Sequence, residues 1–126
     1  MNKEAYVSFE VAKLLKEKGF NWECTHYYDD DGTMHKALDY VRQNDEDEDD
    51  NDECLCPTQQ KAMRWLREIK NIDIEPFVYC NHHDGSKAYG CNIQENGHLL
   101  MTDSFVQDTY EEAVEAALKY CLTELI

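Results

Sequence analysis

A run of acidic side chains between two apolar-patterned halves constrains this 126-residue chain more than any other feature. Eight of the ten residues at positions 44–53 are Asp or Glu, and none is apolar. Charges at this density repel one another and bury no surface, so the run predicts a solvated loop at about 43–56. We expect one domain over residues 1–126, with this loop as a candidate interaction surface. Its acidic residues are Asp45, Glu46, Asp47, Glu48, Asp49, Asp50, Asp52 and Glu53.

The charge balance excludes several classes of partner. The net charge is −15, and without the eight acids of the run it is still −7. Nucleic-acid backbones and anionic membrane surfaces are bound by clustered Lys and Arg, so we expect neither direct nucleic-acid binding nor membrane binding. An acidic body favours a basic protein partner, or it serves solubility alone.

The chain also has no marks of export. No apolar stretch approaches the roughly 20 residues of a membrane-spanning helix, and the N-terminus lacks the features of a signal peptide. We therefore expect a cytoplasmic protein. In that compartment thiols stay reduced, so most of the six cysteines are predicted to be free.

The first and last helices have clear boundary signals. Ser8 is a good N-cap, and Gly19 supplies the left-handed residue that ends the first helix. Thr109 and Glu112 form a capping box at the start of the last helix. With the second helix, apolar residues at helical spacing predict three helices. Their expected ranges are about 9–18, 58–70 and 109–125.

The second helix is expected to be strongly two-sided. Ala62, Trp65, Leu66 and Ile69 share its apolar face, while the opposite face carries most of its Lys and Arg residues. This is the one basic patch that the sequence indicates.

Strand signals dominate the remaining segments. Residues 33–41 fit either a strand or a helical turn, and we favour a strand. Pro76 indicates either an edge position or a late start of its strand, and Asn96-Gly97 is typical of a type I′ hairpin turn. The order of elements predicts an α+β fold in which an antiparallel sheet of about four to five strands packs with the three helices. Further strands are expected at about 22–28, 74–80, 87–94 and 99–102.

Two thiols one residue apart are the most suggestive metal feature. Cys54 and Cys56 could share a zinc ion with His82 and His83, which lie together in a predicted hairpin loop. Structural zinc sites usually separate paired cysteines by two to four residues, so buried structural cysteines are the alternative reading. The acidic run does not fit a calcium loop, because it lacks the required Gly and the final Glu.

No pattern in the chain marks an enzyme. Cys80 or Cys91 could meet a histidine, but no local signature indicates an activated nucleophile. There is no phosphate-binding Gly-rich loop and no hydrolase or metalloprotease motif. We therefore predict a protein that is not an enzyme and that carries no cofactor.

Three segments together resemble a known group of proteins. They are SFEVAKLLKEKGF at 8–20, PTQQKAMRWLRE at 57–68 and TYEEA at 109–113. The combination is similar to a family of small uncharacterised proteins carried by phages and other mobile elements of gut anaerobic bacteria. The resemblance covers roughly residues 8–28, 57–80 and 104–126, and it implies a mobile-element origin without a known activity or catalytic residues. The order of elements is also similar to that of small α/β/α sandwich domains in phage proteins.

These observations favour a non-enzymatic protein–protein interaction module that binds a basic protein. One version is a DNA mimic that inhibits a host defence enzyme, because spaced carboxylates can imitate phosphates toward a positive groove. The alternative is a small zinc-binding regulatory module.

Overall fold

The chain divides into two compact units, Met1–Gln60 and Lys61–Ile126, in the computed structural model. The structure describes residues 5–41, 54–80 and 85–126, and within these ranges the side chains of 37–41, 79–80 and 102–105 are not described. The acidic run at 44–53 and the pair His82 and His83 lie outside the described residues.

The first unit combines one helix with a three-stranded antiparallel sheet of order β2-β1-β3. The Ser8 side chain accepts a hydrogen bond from Val11 N at 3.2 Å, and Gly19 takes a φ of +95°, so both predicted helix boundaries are confirmed. The Tyr28 hydroxyl donates to Val7 O at 2.6 Å and thereby ties β1 to the segment before the helix. The elements are α1 (Phe9–Glu17), β1 (Cys24–Tyr28), β2 (Met34–Val41) and β3 (Cys54–Leu55).

The second unit contains a β-meander covered on one face by a helix. Asn96 and Gly97 both have positive φ, 53° and 82°, as the predicted type I′ turn requires. Thr109 Oγ1 accepts from Glu112 N at 3.1 Å and caps the last helix. The elements are α2 (Gln59–Lys70, which starts at the end of the first unit), β4 (Ile72–Cys80), β5 (Lys87–Glu95), β6 (His98–Gln107) and α3 (Tyr110–Tyr120), followed by a π-helical segment (Cys121–Leu125).

The α+β class, the antiparallel strands and the three helices are confirmed. The strands are arranged differently from the single sheet that we expected, because the six described strands form two sheets of three. Each sheet is built largely from neighbours in sequence, since β1–β2, β4–β5 and β5–β6 are hairpins. Residues 54–55, expected in the loop, pair with β1 as β3.

Two further differences concern where elements end. The expected third strand of the meander at 99–102 is a ten-residue strand, and the last α-helix gives way to π-helical backbone at Cys121. None of the helices among the described residues combines the length and the apolarity needed to cross a membrane.

Candidate functional site

The sheet of the second unit has two faces of opposite character. On one face, Cys91 Sγ donates to Ala113 O at 3.6 Å and the rings of Tyr89 and Tyr110 lie 6.2 Å apart, so this face packs on α3. Because side chains alternate along a strand, the neighbours of Cys91 and Tyr89 in sequence point to the other side. We call that other side the outer face.

The outer face is defined by the register of the strands. Gln94 of β5 pairs with Asp73 of β4 on one side and with Leu99 of β6 on the other. Glu75 of β4 pairs with Asn92 of β5. Directly opposed residues of an antiparallel ladder lie on the same side of the sheet. Gln94 Nε2 donates to Glu75 Oε1 at 3.1 Å, which places these two side chains together on the outer face.

Large apolar side chains are exposed on the outer face. Leu99 is 58% exposed. Gln107 pairs with Tyr89 and so lies on the α3 side, which places the preceding residue Val106 on the outer face. Val106 is 46% exposed. Glu75 is exposed, and Asp73 is half-buried. The outer face therefore combines exposed aliphatic groups with carboxylates and amides.

Both edges of this sheet are poor templates for an added strand. Pro76 lies within the edge strand β4 and has no backbone N–H to donate. On the other edge, ten residues of β6 oppose seven of β5, from Tyr89 to Glu95, so β6 carries three extra residues as bulges. Such features disfavour edge-to-edge pairing with another strand.

The turn between β1 and β2 holds a tight carboxylate cluster. Asp29 Oδ1 accepts from the backbone N–H groups of Asp31 and Thr33 at 3.1 and 2.9 Å, and His35 Nε2 lies 2.7 Å from Asp29 Oδ2. Hydrogen bonding with the Asp31 side chain, and then with His35 and the Thr33 backbone, holds the pKa of Asp29 well below its usual range. Carboxylate oxygens of Asp29, Asp30 and Asp31 lie within 4.8 Å of one another. These hydrogen bonds are typical of a turn that begins with Asp, so the turn itself explains why the three carboxylates lie close together.

Two of the four predicted zinc ligands are described. Cys54 and Cys56 are 2% and 0% exposed, and Cys56 Sγ donates to Val7 O at 3.6 Å. Both thiols are buried, and the Cys56 contact lies within the first unit. The other two predicted ligands, His82 and His83, lie outside the described residues, so the four-ligand site stays a prediction.

The described thiols of the second unit are held in the protonated form. Burial raises the pKa of the Cys91 thiol to about 11. Burial raises the pKa of the Cys121 thiol to about 12, and the charges of Cys91 and Glu95 make smaller contributions. The thiolate is the nucleophile in cysteine chemistry, so neither group is activated. The side chain of Cys80 is not among those described.

Comparison with known proteins gives no further guide, since no family model, no curated protein and no solved structure matches this chain. The outer face was not singled out by the sequence. A signal for it existed in the alternation of Asp73 and Glu75 with Ile72 and Ile74, which is typical of a strand with one buried and one solvated side.

Proposed function

We propose that this chain is a non-enzymatic protein–protein interaction module and that its outer face binds a basic protein. The observation that carries the proposal is the juxtaposition of exposed Leu99 and Val106 with the carboxylates of Asp73 and Glu75 on one side of a sheet whose other side is occupied by α3. Aliphatic side chains exposed to this extent contribute less to folding than buried ones, and they gain further free energy when a partner covers them.

The carboxylates supply the preference for a basic partner. Fields of one sign steer an oppositely charged protein toward the surface and reject partners of the same sign. The net charge of −15 extends that field, and the acidic run at 44–53 supplies more than half of this net charge. We therefore expect the run to accelerate association, while Leu99 and Val106 set the lifetime of the complex.

The resemblance to small phage and mobile-element proteins accords with an accessory role of this kind. The thiols of Cys91 and Cys121 are held in the protonated form, so neither supplies a nucleophile. The cytoplasmic location and the mobile-element origin are part of the proposal.

The test is capture of bacterial proteins on the immobilised full chain, with quantitative comparison of the wild type and three variants. Leu99→Ser and Glu75→Lys alter the outer face, whereas Ile69→Ser alters an equally exposed aliphatic residue, 54% against 58%, on α2. We expect at least one basic protein to be retained by the wild type and by Ile69→Ser, lost from both outer-face variants, and released by raised salt. An identical set of proteins on all four chains, or none on any, would refute the proposal. Thermal melts check that every variant is folded.

A further inference from the structure

The edge strand β4 presents two carboxylates and an aromatic ring in a row on the outer face. Pro76 pairs with Cys91, which faces α3, so its neighbours Glu75 and Phe77 point to the other side. Asp73 precedes Glu75 by two residues and lies on the same side. Alternate residues of a strand are about 7 Å apart, so a long side chain of a partner can reach two neighbouring members of this row.

The ring of Phe77 keeps part of its surface accessible. The residue directly opposite it on β5 is Gly90, which contributes no side chain to the outer face. Gly90 is itself buried, whereas Phe77 is only half-buried. The exposed part of the ring is available to a ligand, and the face of an aromatic ring attracts cations.

The Glu75 carboxylate is held in place without being neutralised. Gln94 Nε2 donates to Glu75 Oε1 at 3.1 Å. An amide carries no charge to offset that of a carboxylate, and an ionised carboxylate has about four acceptor sites. Glu75 is exposed, so a ligand can reach the carboxylate from solvent. The hydrogen bond therefore orients this group and leaves its charge available for a cation.

The three described strands of this sheet contribute no Lys or Arg to the outer face. Among these two residue types, their sequences contain only Lys87. Lys87 lies two residues before Tyr89 on β5, so it points to the side on which Tyr89 meets α3. The carboxylates of Asp73 and Glu75 are therefore unmatched within the sheet, and a basic partner supplies the complementary charge.

We propose that Glu75 and Phe77 together bind an arginine side chain of the partner. This inference rests on the proposed function, which places a basic protein on the outer face. A guanidinium group is planar, pairs with a carboxylate through two parallel hydrogen bonds and stacks on aromatic rings. A spacing of about 7 Å along the strand allows one guanidinium to bond to the carboxylate while it lies within about 6 Å of the ring centroid.

A lysine fits this pair of residues less well. Its ammonium group is a compact, strongly hydrated point charge, whereas the guanidinium is more weakly hydrated and matches a carboxylate with two donors. The net charge of −15 attracts either cation without distinguishing between them. Preference for arginine over lysine is therefore the property that separates this site from general attraction by negative charge.

The test uses two fluorescein-labelled peptides of about twelve residues, built from Gly, Ser and Leu with three Arg in one and three Lys in the other. Their binding to the full chain is measured by fluorescence anisotropy at physiological salt. We expect the wild type to bind the Arg peptide roughly fivefold more tightly than the Lys peptide. Glu75→Gln removes the charge and keeps an oxygen that can accept from Gln94, and it should weaken binding of the Arg peptide roughly five- to tenfold.

Two further variants separate the contribution of the ring from that of charge alone. Phe77→Leu keeps an apolar side chain and should weaken binding of the Arg peptide roughly threefold, so that most of the preference over the Lys peptide is lost. Glu124→Gln removes one negative charge at an exposed position near the C-terminus. It should change either affinity by less than about twofold. Thermal melts check that every variant is folded.

The outcomes distinguish this inference from the function on which it rests. Equal affinity of the wild type for the two peptides, or an unchanged preference in Phe77→Leu, overturns the arginine site. If both peptides bind equally but lose affinity in Glu75→Gln and keep it in Glu124→Gln, binding of a basic partner to the outer face stands without the arginine site. If Glu75→Gln and Glu124→Gln behave alike for both peptides, both proposals fail.

Discussion

The two faces of the β4–β5–β6 sheet differ in how far their described side chains are buried. On the α3 side, Cys91 and Ile93 are fully buried, as are Val114 and Leu118 of the helix that covers them. On the outer face, Leu99 is 58% exposed and lies beside carboxylates and amides. The same three strands therefore supply stability on one side and leave side chains available for recognition on the other.

This difference shows why stability and binding can be separated here by single substitutions. A residue covered by α3 loses both its transfer free energy and its packing when it is truncated. An exposed residue of the outer face has much less of either to lose until a partner covers it. The following four experiments, ordered by expected effect, test that separation.

The largest effect is expected from Ile93→Ala, on the side of the sheet that α3 covers. Removing most of a fully buried aliphatic side chain leaves a cavity, and the free energy of unfolding should fall by about 2–5 kcal/mol. Val106→Ala, on the outer face of the neighbouring strand, should cost less than about 1 kcal/mol. Chemical denaturation of both variants measures the contrast, and equal losses would mean that the two faces are buried alike.

The next effect is a dependence of stability on alkaline pH, caused by the thiol of Cys121. Its pKa rises from 9.0 to about 12 on folding, so above pH 9 the unfolded chain releases a proton that the folded chain keeps. The free energy of unfolding should therefore decrease between pH 9 and pH 12, by up to about 1.4 kcal/mol per pH unit for this group.

Cys121→Ala should reduce that slope and leave the part that is due to Cys91, whose pKa burial raises to about 11. Leu122→Ala is the control, because it truncates a fully buried neighbour without removing a thiol and should lower stability equally at every pH. Denaturation curves at several alkaline pH values measure both. An unchanged slope in Cys121→Ala would show that the thiol titrates alike in the folded and unfolded states.

A smaller effect is expected from Thr109→Ala at the start of α3. The hydroxyl satisfies Glu112 N at 3.1 Å, and loss of such a cap costs about 1 kcal/mol. Thr123→Ala removes a threonine hydroxyl that bonds to Lys119 O inside helical backbone, so it should change stability by no more than about 0.5 kcal/mol. Comparable losses in the two variants would argue against the cap.

The smallest effect on stability is expected from Leu99→Ser on the outer face. An exposed residue changed to a polar one usually shifts the free energy of unfolding within about 0.5 kcal/mol. The same change removes an apolar contact from the proposed interface, so capture of the basic partner should be lost while the melting temperature is kept. A melting temperature that falls as far as in Ile93→Ala would show that Leu99 is part of the core.

Local signals in the sequence predicted the structure correctly where a single residue determines the backbone conformation. Ser8 and Thr109 cap their helices, and Asn96 and Gly97 adopt the positive φ values of a type I′ turn. These features depend on contacts between residues three or four apart, which a sequence displays directly. The favoured strand reading of 33–41 is confirmed by β2 for the same reason, since its hairpin follows the turn at Asp29.

Such local signals could not predict the pairing of strands that are distant in sequence. β3 is only two residues long, and it pairs with β1 across more than twenty-five residues of sequence, so its propensity alone carries almost no information. The bulges of β6 likewise arise from matching ten residues to seven on β5. Neither count is visible before the partner strand is known.

Some candidate sites could be predicted from the sequence, and others could be found only in the structure. The sequence identified the acidic run and the basic helix, because charge is a property of composition. It placed Ile69 on the apolar face by spacing, but only the packing around α2 decides that this residue is 54% exposed. The outer face emerged from strand register and was therefore found only in the structure.

The sequence by itself determined the α+β class, the helix caps, the tight turn and the excess of negative charge, because these follow from backbone preferences of single residues and from a sum of charges. The tertiary structure alone decided that the six described strands form two sheets, that β6 bulges, and which aliphatic side chains α3 covers. Burial depends on where elements distant in sequence come to rest, and no local pattern fixes that position.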